Sequence, residues 1–544
     1  MSQIKPSFHM LAERALLVTL STEVSAEVNQ QVLRISRAVE HAAIPGVGEA
    51  QPAYSSLCVH FDPAKVRASY VQEFVGSVMD RIWEDAPDSS VGAISREVEI
   101  PTVYGGDEGP DLEWSAQHLG ISPSELVQRH ASRSYRVFMI GFTPGFPYMG
   151  SLDESIALPR LPQPRAKVPP GSVGIGGSQT GVYPWETPGG WRLLGRTGLT
   201  LFSPWRDDPS LLHPGDTVRF VPVDRQSDAP PKQGRESAPG CGRPAVRALE
   251  VEHPGFFTMV VDEGRFGYRK LGVPVSGAAD LRSYRLANLL VGNARSEAAL
   301  EMTLLGAKFR SKIDCVVAFT GASAPLHLDG REVPMDSPIL IPAGSTLEIG
   351  SFRVGCRAYL AVAGGFDVPQ VMGSRSTYVR GAFGGYLGRS LKPGDALPVG
   401  PAPDAGRVLD ASTELRNLGP LPASITGELD APSLTLRVVE GPEAEPSLLQ
   451  ALCDHEYSVN PESDRMGLRL AGPQVPVGKG DILSSPVVPG TIQVPSDGKP
   501  LLLLSDGQTT GGYKRIGVVL GEDLPLAGQL RPGSRVSFRH VRQG

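Results

Sequence analysis

Glycine and proline constrain this sequence more than any other feature: 63 glycines and 50 prolines stand among 544 residues. Both residue types break the interior of helices and strands and supply turns. A chain this rich in them is expected to be mainly β, built from short strands and many turns. The length exceeds one hydrophobic core, so about three or four domains are expected. The net charge is −6, without a block of like charge, and nothing supplies the basic stripe that nucleic acid requires. Cys58, Cys241, Cys315, Cys356 and Cys453 are scattered and form no CxxC pair. A disulfide framework or structural zinc is not expected, and a reducing cytoplasm fits. Glu13 and Arg14 interrupt the first apolar stretch, and no apolar run reaches the ~18 residues of a membrane span.

The first 92 residues read as a small α+β domain. Ala15–Leu20 and Tyr54–Phe61 are strand candidates. Val24, Val28, Val32, Ile35 and Val39 recur at helical spacing, and a second helix is predicted over Ala64–Trp83. Beyond Gly92 the strands shorten, apart from helices predicted at Leu112–Leu119 and Pro123–Ala131. Residues 224–244 are polar and proline-rich, as an interdomain linker would be, and a weaker break falls between Gly400 and Pro432. An internal echo organises the remainder. Leu194-Gly195-Arg196 followed by Pro214-Gly215-Asp216 returns as Leu387-Gly388-Arg389 followed by Pro393-Gly394-Asp395, and a third Pro-Gly stands at 532–533. Pro-Gly favours a type II turn, here ahead of an alternating strand. Three successive barrel-like units are therefore expected behind the α+β domain, over 93–223, 245–400 and 401–544.

Several chemistries have no motif. The sequence holds no Walker A loop (Gly478-Lys479-Gly480 is the nearest approach), no dinucleotide fingerprint and no nucleophile elbow. The histidines never take metal-ligand spacing, so no metal site is predicted, and no biotinyl-lysine motif occurs. Three segments carry what chemistry there is. Between Val137 and Pro204, Phe142, Phe146, Tyr148, Tyr183, Trp185 and Trp191 sit among glycines, with Arg160, Arg165, Lys167, Arg192 and Arg196 nearby. Glycine-rich backbone and cations suit an anion, and aromatic faces suit a flat ligand; barrel turns and core would use the same residues. Between Glu263 and Leu305, a helix is predicted at Leu281–Val291 with Asp280 as its cap. Glu301 is a carboxylate in an apolar setting there, either a functional base or a paired structural group. Near the C-terminus, Asp506, Gln508, Thr509, Thr510 and Tyr513 surround Gly511-Gly512, which fits either a ligand loop or a self-satisfied hairpin corner.

The motifs GFTPGFPYMG (141–150), VPPGSVGIGG (168–177) and TPGGWRLLGRT (187–197) resemble the B subunit of 5-oxoprolinase, also called allophanate hydrolase subunit 1. That family includes an inhibitor of a sporulation kinase. GRFGYRKLGVPVSGAAD (264–280), YLAVAGGFDVP (359–369), LGRSLKPGD (387–395) and DGQTTGGY (506–513) resemble its partner, the C subunit. The pattern departs at Val261, Ser485 and Lys514, where glutamine, glutamate and proline are usual. The resemblance implies tandem cyclophilin-like β-barrels in a fused pair of B and C subunits. It further implies an enzyme that couples ATP hydrolysis, with magnesium, to opening the lactam of 5-oxoproline, together with a separate A subunit of the LamB/YcsF type. Substrate- or nucleotide-binding candidates are Arg160, Arg165, Lys167, Ser172, Trp185, Arg196, Asp280, Glu301, Gln508, Thr509, Thr510 and Tyr513. Among these, Arg160, Arg165 and Lys167 are assigned to anions, and Gln508, Thr509 and Tyr513 to substrate. Related paired domains also occur in urea carboxylase, so a carboxyltransferase component is the alternative enzyme. Regulation of a histidine kinase is the non-enzymatic alternative.

Overall fold

The computed structural model describes residues 5–84, 96–150, 152–224, 247–402, 429, 431, 433–478 and 482–542. The expected linker lies outside these residues beyond Asp224, as do Cys241, Lys479-Gly480 and nearly all of the Gly400–Pro432 break. Among the described residues, no helix is long and apolar enough to cross a membrane.

The N-terminal unit is a four-stranded antiparallel sheet in the order Ser7–Leu11, Ala15–Thr19, Ser56–Phe61, Val47–Pro52, with helices at Ala26–His41 and Ala68–Glu84. Ser25 starts the first helix by accepting the Val28 N–H. Strand alternation sends Leu16 and Val18 toward Val32, Ile35, Val71 and Val75 of the helices. Ala15, Leu17 and Cys58 pack instead against Val439, Val488 and Val518 near the C-terminus. Both faces of this small sheet are therefore covered.

Two seven-stranded barrels follow, and they are copies of one design. Around the first barrel the strands run Glu97–Tyr104, Thr217–Pro222, Ser134–Ile140, Pro147–Gly150, Gln179–Val182, Ser172–Gly176 and Arg192–Arg196. Around the second they run Leu434–Glu440, Arg535–His540, Glu456–Val459, Gly467–Ala471, Leu501–Leu503, Thr491–Val494 and Lys514–Val519. The copies agree in register. Gly195 pairs with Val173 and Leu193 with Gly174; in the second barrel Gly517 pairs with Ile492 and Arg515 with Gln493. A ladder irregularity interrupts both pairings at that same step. The stretch TPGGWRLLGR (187–196) thus lies on TTGGYKRIGV (509–518), a repeat that the sequence reading missed. The braces agree as well. Asp111 accepts the Leu193 N–H at 2.7 Å and donates its own N–H to the Leu193 carbonyl at 3.0 Å. Glu443 exchanges the same two bonds with Arg515, at 3.0 and 3.3 Å.

The segment between the barrels corrects the expectation of a third barrel. It forms two sheets of six and five strands whose facing sides share one core, including Leu249, Val251, Phe309 and Leu347 from one sheet and Val260, Leu300, Phe319 and Leu360 from the other. The helix Leu281–Leu290 covers the outer face of the five-stranded sheet through Tyr284 and Ala287. The cause lies in the strand after each Pro-Gly turn. Thr217–Pro222 and Arg535–His540 are six residues long and pair on both edges, parallel to the barrel's first strand and antiparallel to another. Ala396–Pro398 has three residues and pairs only with Ala248–His253, which leaves that sheet open. The turns themselves match. Gly215, Gly394 and Gly533, at φ 100°, 84° and 86°, donate to Val137, Val251 and Val459, each at 2.8 Å.

Candidate functional site

The motifs of the two halves meet at one seam. The strand Ser134–Ile140 is followed by Gly141, and the next residue, Phe142, turns through φ 63°. Its N–H donates to Thr510 Oγ1 at 2.9 Å. A Cβ on Gly141 would collide with that same threonine hydroxyl, so only glycine lets the first barrel's loop reach the second barrel. The middle unit joins the seam through Leu271, whose carbonyl accepts from Gly145 N at 2.9 Å. Lys270 anchors the N-terminal unit by pairing with Glu40 at 2.7 Å and donating its N–H to Glu49 at 2.9 Å. All four units converge here.

Tyrosines line the first-barrel side. Tyr54, Phe138, Phe146, Tyr148, Tyr183 and Trp191 form one cluster, with ring centroids 5.1 Å apart for Phe146–Tyr148 and 5.3 Å for Phe146–Tyr183. Tyr54 OH accepts from Gln179 Nε2 at 2.6 Å. Tyr148 hydrogen-bonds with Thr510 and Ser484 of the second barrel. Burial pushes all three hydroxyls above the ordinary phenol range, against the opposing pull of the exposed Arg160 guanidinium. They stay protonated at neutral pH. Three tyrosine hydroxyls with an arginine nearby are a chemistry suited to a ligand rich in carbonyl or carboxylate oxygen. Among the described residues, no group of three His, Cys, Asp or Glu side chains could hold a metal ion.

The remaining predicted residues disperse. Arg165 pairs with Asp111 at 2.7 Å, and the exposed Lys167 with Glu186 at 3.0 Å. Arg196 donates to the Pro170 carbonyl at 2.8 Å and meets Glu108 at 3.3 Å. Ser172 is buried in its strand, and Trp185 donates to the Pro144 carbonyl at 2.9 Å while packing on Phe202. Asp280 is fully buried; it caps its helix by accepting from Ser283 N at 3.0 Å and also accepts from Gln529 at 2.8 Å. Glu301 is a paired carboxylate. It takes hydrogen bonds from Arg465, Tyr359 OH and Ala279 N, with Arg357 3.7 Å away. Burial pushes its carboxyl up, but Arg465, Arg357 and the Ala279 N–H together outweigh that and hold it below its usual range. Arg465 continues the network by chelating Asp506, both bonds at 3.0 Å. Thr509 and Thr510 are buried at the seam, where the Thr509 carbonyl accepts from Gln51 at 2.9 Å. Gln508 bonds Gln493 at 3.1 Å, and Tyr513 stays 38% exposed. Tyr54, Ser484 and Arg465 were missed. Each has a partner in another unit, Tyr54 with Gln179, Ser484 with Tyr148 and Arg465 with Glu301, and no local pattern in the sequence encodes such pairs.

Two copies of one barrel, flanked by an α+β sheet and separated by a two-sheet unit, define a tandem carboxyltransferase-domain protein. The family model "Carboxyltransferase domain, subdomain C and D" matches residues 6–212, and "Carboxyltransferase domain, subdomain A and B" matches 271–540. The 5-oxoprolinase B subunit of Escherichia coli O157:H7 is 43% identical over 215 residues, covering 39% of this chain and 94% of that protein. The 5-oxoprolinase C subunit of Escherichia coli K12 is 36% identical over 294 residues, covering 53% of this chain and 90% of that protein. The chain belongs to this family and joins its B-like and C-like parts in one polypeptide. The crystal structure of TTHA0988 superposes with a TM-score of 0.81 at 35% identity, covering 97% of this chain and 99% of that one. Urea amidolyase of Saccharomyces cerevisiae is 34% identical over 312 residues, 54% of this chain and 16% of that protein.

Proposed function

We propose that the chain is the B-plus-C component of an ATP-dependent 5-oxoprolinase, opening the lactam of 5-oxoproline to glutamate with a separate A subunit. One observation carries this reading: a single polypeptide spans 94% of a B subunit and 90% of a C subunit. The chemistry explains the need for ATP. A five-membered lactam is a poor electrophile, and phosphorylation of its oxygen would open the carbon to attack by water. The protein's part is to hold acyl and phosphoryl oxygens with donors that need no rearrangement. The protonated Tyr54, Tyr148 and Tyr183, with Arg160, suit that task. Arg165 and Lys167 would meet an anion only by exchanging Asp111 and Glu186. Magnesium is assigned as the nucleotide's counter-ion.

The test is glutamate release from 5-oxoproline by the purified chain plus its A subunit, with and without ATP. Turnover that needs ATP and both proteins is expected, and no turnover in the complete mixture would sink the proposal. The similarity to urea amidolyase over 54% of the chain favours a second reading, a carboxyltransferase component. Carboxybiotin-dependent carboxylation of urea by the purified chain would establish it.

A further inference from the structure

Among the described residues, fourteen buried side-chain polar atoms have no hydrogen-bond partner, and five of them gather at the loop over residues 505–512. Ser505 Oγ and Thr509 Oγ1 belong to the loop; the other three atoms belong to residues linked to it, Arg265 by its attraction to Asp506, Ser276 by its bond to the Ser505 carbonyl and Gln493 by its bond to Gln508. Buried polar groups are otherwise almost always satisfied, so such a concentration signals a missing partner. One end of the loop is cationic. Arg265 is fully buried, with Nε and Nη2 donating to the Val371 and Ser376 carbonyls at 3.0 and 2.8 Å, which leaves Nη1 over. Asp262 and Asp506 are near, but their carboxylates are engaged elsewhere: Asp262 by Gly264 N, Ser374 Oγ and Arg375 N, Asp506 by Arg465. Ser276 abuts the loop through its N–H, 3.0 Å from the Ser505 carbonyl. At the other end, Gln508 Nε2 donates to Gln493 Oε1 at 3.1 Å, which leaves Gln493 Nε2 over. A Cβ on Gly511 would collide with that unpaired end, so the glycine lets the loop close directly on it.

The other barrel supplies a contrast. At the position of Gln493 it carries Gly174, and the Trp191 side chain packs over Gly174, Gly176 and Gly181, leaving Trp191 6% exposed. The tyrosine at the equivalent place, Tyr513, is 38% exposed. The first barrel has filled this space with an indole. The second carries the Gln493 amide at that position and turns its ring outward.

We infer that the 505–512 loop of the second barrel closes over a binding site for a small molecule carrying a carboxylate and an amide carbonyl. The carboxylate meets Arg265, Ser276 and Ser505; the carbonyl meets Gln493 and Thr509. Guanidinium and amide N–H groups only donate, so the ligand must present acceptors at both ends, and the single cation places its charge at the Arg265 end. The site deepens the 5-oxoprolinase reading and rests on it only for the choice of first ligand.

The experiment is calorimetric titration of the full chain with 5-oxoproline, with 2-pyrrolidinone (no carboxylate), with proline (no ring carbonyl) and with N-acetylglycine (an open-chain carboxylate amide). Wild type is compared with Ser505→Ala, Thr509→Val and Gln493→Leu. Binding of 5-oxoproline is expected, at least about tenfold weaker for both truncated analogues and for each variant. Thermal melting of Ser505→Ala and Thr509→Val should be unchanged or higher, because each replaces an unpaired polar atom with an apolar one, whereas Gln493→Leu also gives up the Gln508 bond and should melt lower. Unaltered binding by all three variants would overturn the site, as would failure of wild type to bind either carboxylate amide. So would a crystal structure showing ordered water on the five groups and ligand elsewhere. N-Acetylglycine binding with the same variant sensitivity, in the absence of 5-oxoproline binding, would uphold the site and overturn the lactam reading. ATP-dependent lactam turnover with an unchanged KM in the variants would do the reverse.

Discussion

At the scale of single residues, the buried histidine of the first barrel makes the clearest prediction. His130 sits in a closed chain of donors: Tyr104 OH lies 2.7 Å from Nδ1, Thr180 Oγ1 lies 2.9 Å from Nε2, and Thr180 donates onward to the Gly174 carbonyl at 3.1 Å. The ring is therefore neutral, with its proton on Nε2, and burial lowers its pKa to about 3. The unfolded chain takes up a proton near pH ~6.5 that the folded chain refuses until about 3. Below pH ~6.5 stability must then fall as pH falls, by up to ~1.4 kcal/mol per pH unit from this residue. Urea unfolding between pH 4 and 7 should show His130→Gln with a shallower pH dependence than wild type; an equal slope would refute the assignment. His60, buried and shifted the same way, adds to the remaining slope. None of this was legible in the sequence, where His130 is one histidine on a short helix. Glu301 shows the same limit. Its apolar flanks marked it as unusual, but its partner Arg465 lies 164 positions away, and no local pattern encodes that distance.

The elements were more legible where the chain's own stereochemistry decides them. Asp280 caps the helix predicted after it, and the Pro-Gly turns each form where proline and glycine place them. In each turn the next residue's side chain accepts the N–H three residues back: Asp216 from His213 at 2.9 Å, Asp395 from Lys392 at 2.7 Å, Ser534 from Arg531 at 3.2 Å. Asp395 also holds Arg389 with two bonds, at 2.7 and 2.8 Å. Asp395→Ala should therefore lower unfolding stability by ~2–3 kcal/mol and Ser534→Ala by about 1 kcal/mol. Chemical denaturation of the two variants measures this, and a Ser534→Ala loss as large as the aspartate's would show that the second arginine bond adds nothing. The turn did not reveal the length of the strand it feeds. Three residues after Pro393-Gly394, against six after the others, separate an open sheet from a closed barrel. Strand length of that kind depends on pairing partners more than on turn chemistry.

For the whole molecule, the halves are held by contacts that the linker does not supply. Leu11, Ala15 and Leu17 bury themselves against the last barrel, Phe202 packs with Leu271 and Phe383, and Gly141 touches Thr510 across 369 positions. A protease site inserted between residues 225 and 246 and then cleaved should leave the two fragments co-eluting on gel filtration, even in 0.5 M salt, because two apolar clusters cross the seam. Separation of the fragments would show that the tether, not the seam, joins them. The order of units and the fusion of two subunits were readable from the motifs. The seam was not, since neither half alone contains it. The duplicated barrel also changes how this molecule can be interrogated. Thr187 and Thr509 occupy matching places in the two copies, and each hydroxyl is buried without a partner. One chain therefore carries both an experimental position and its internal reference. Any effect of Thr509→Val that Thr187→Val reproduces belongs to the barrel as a fold, and only the remainder belongs to what the second barrel does.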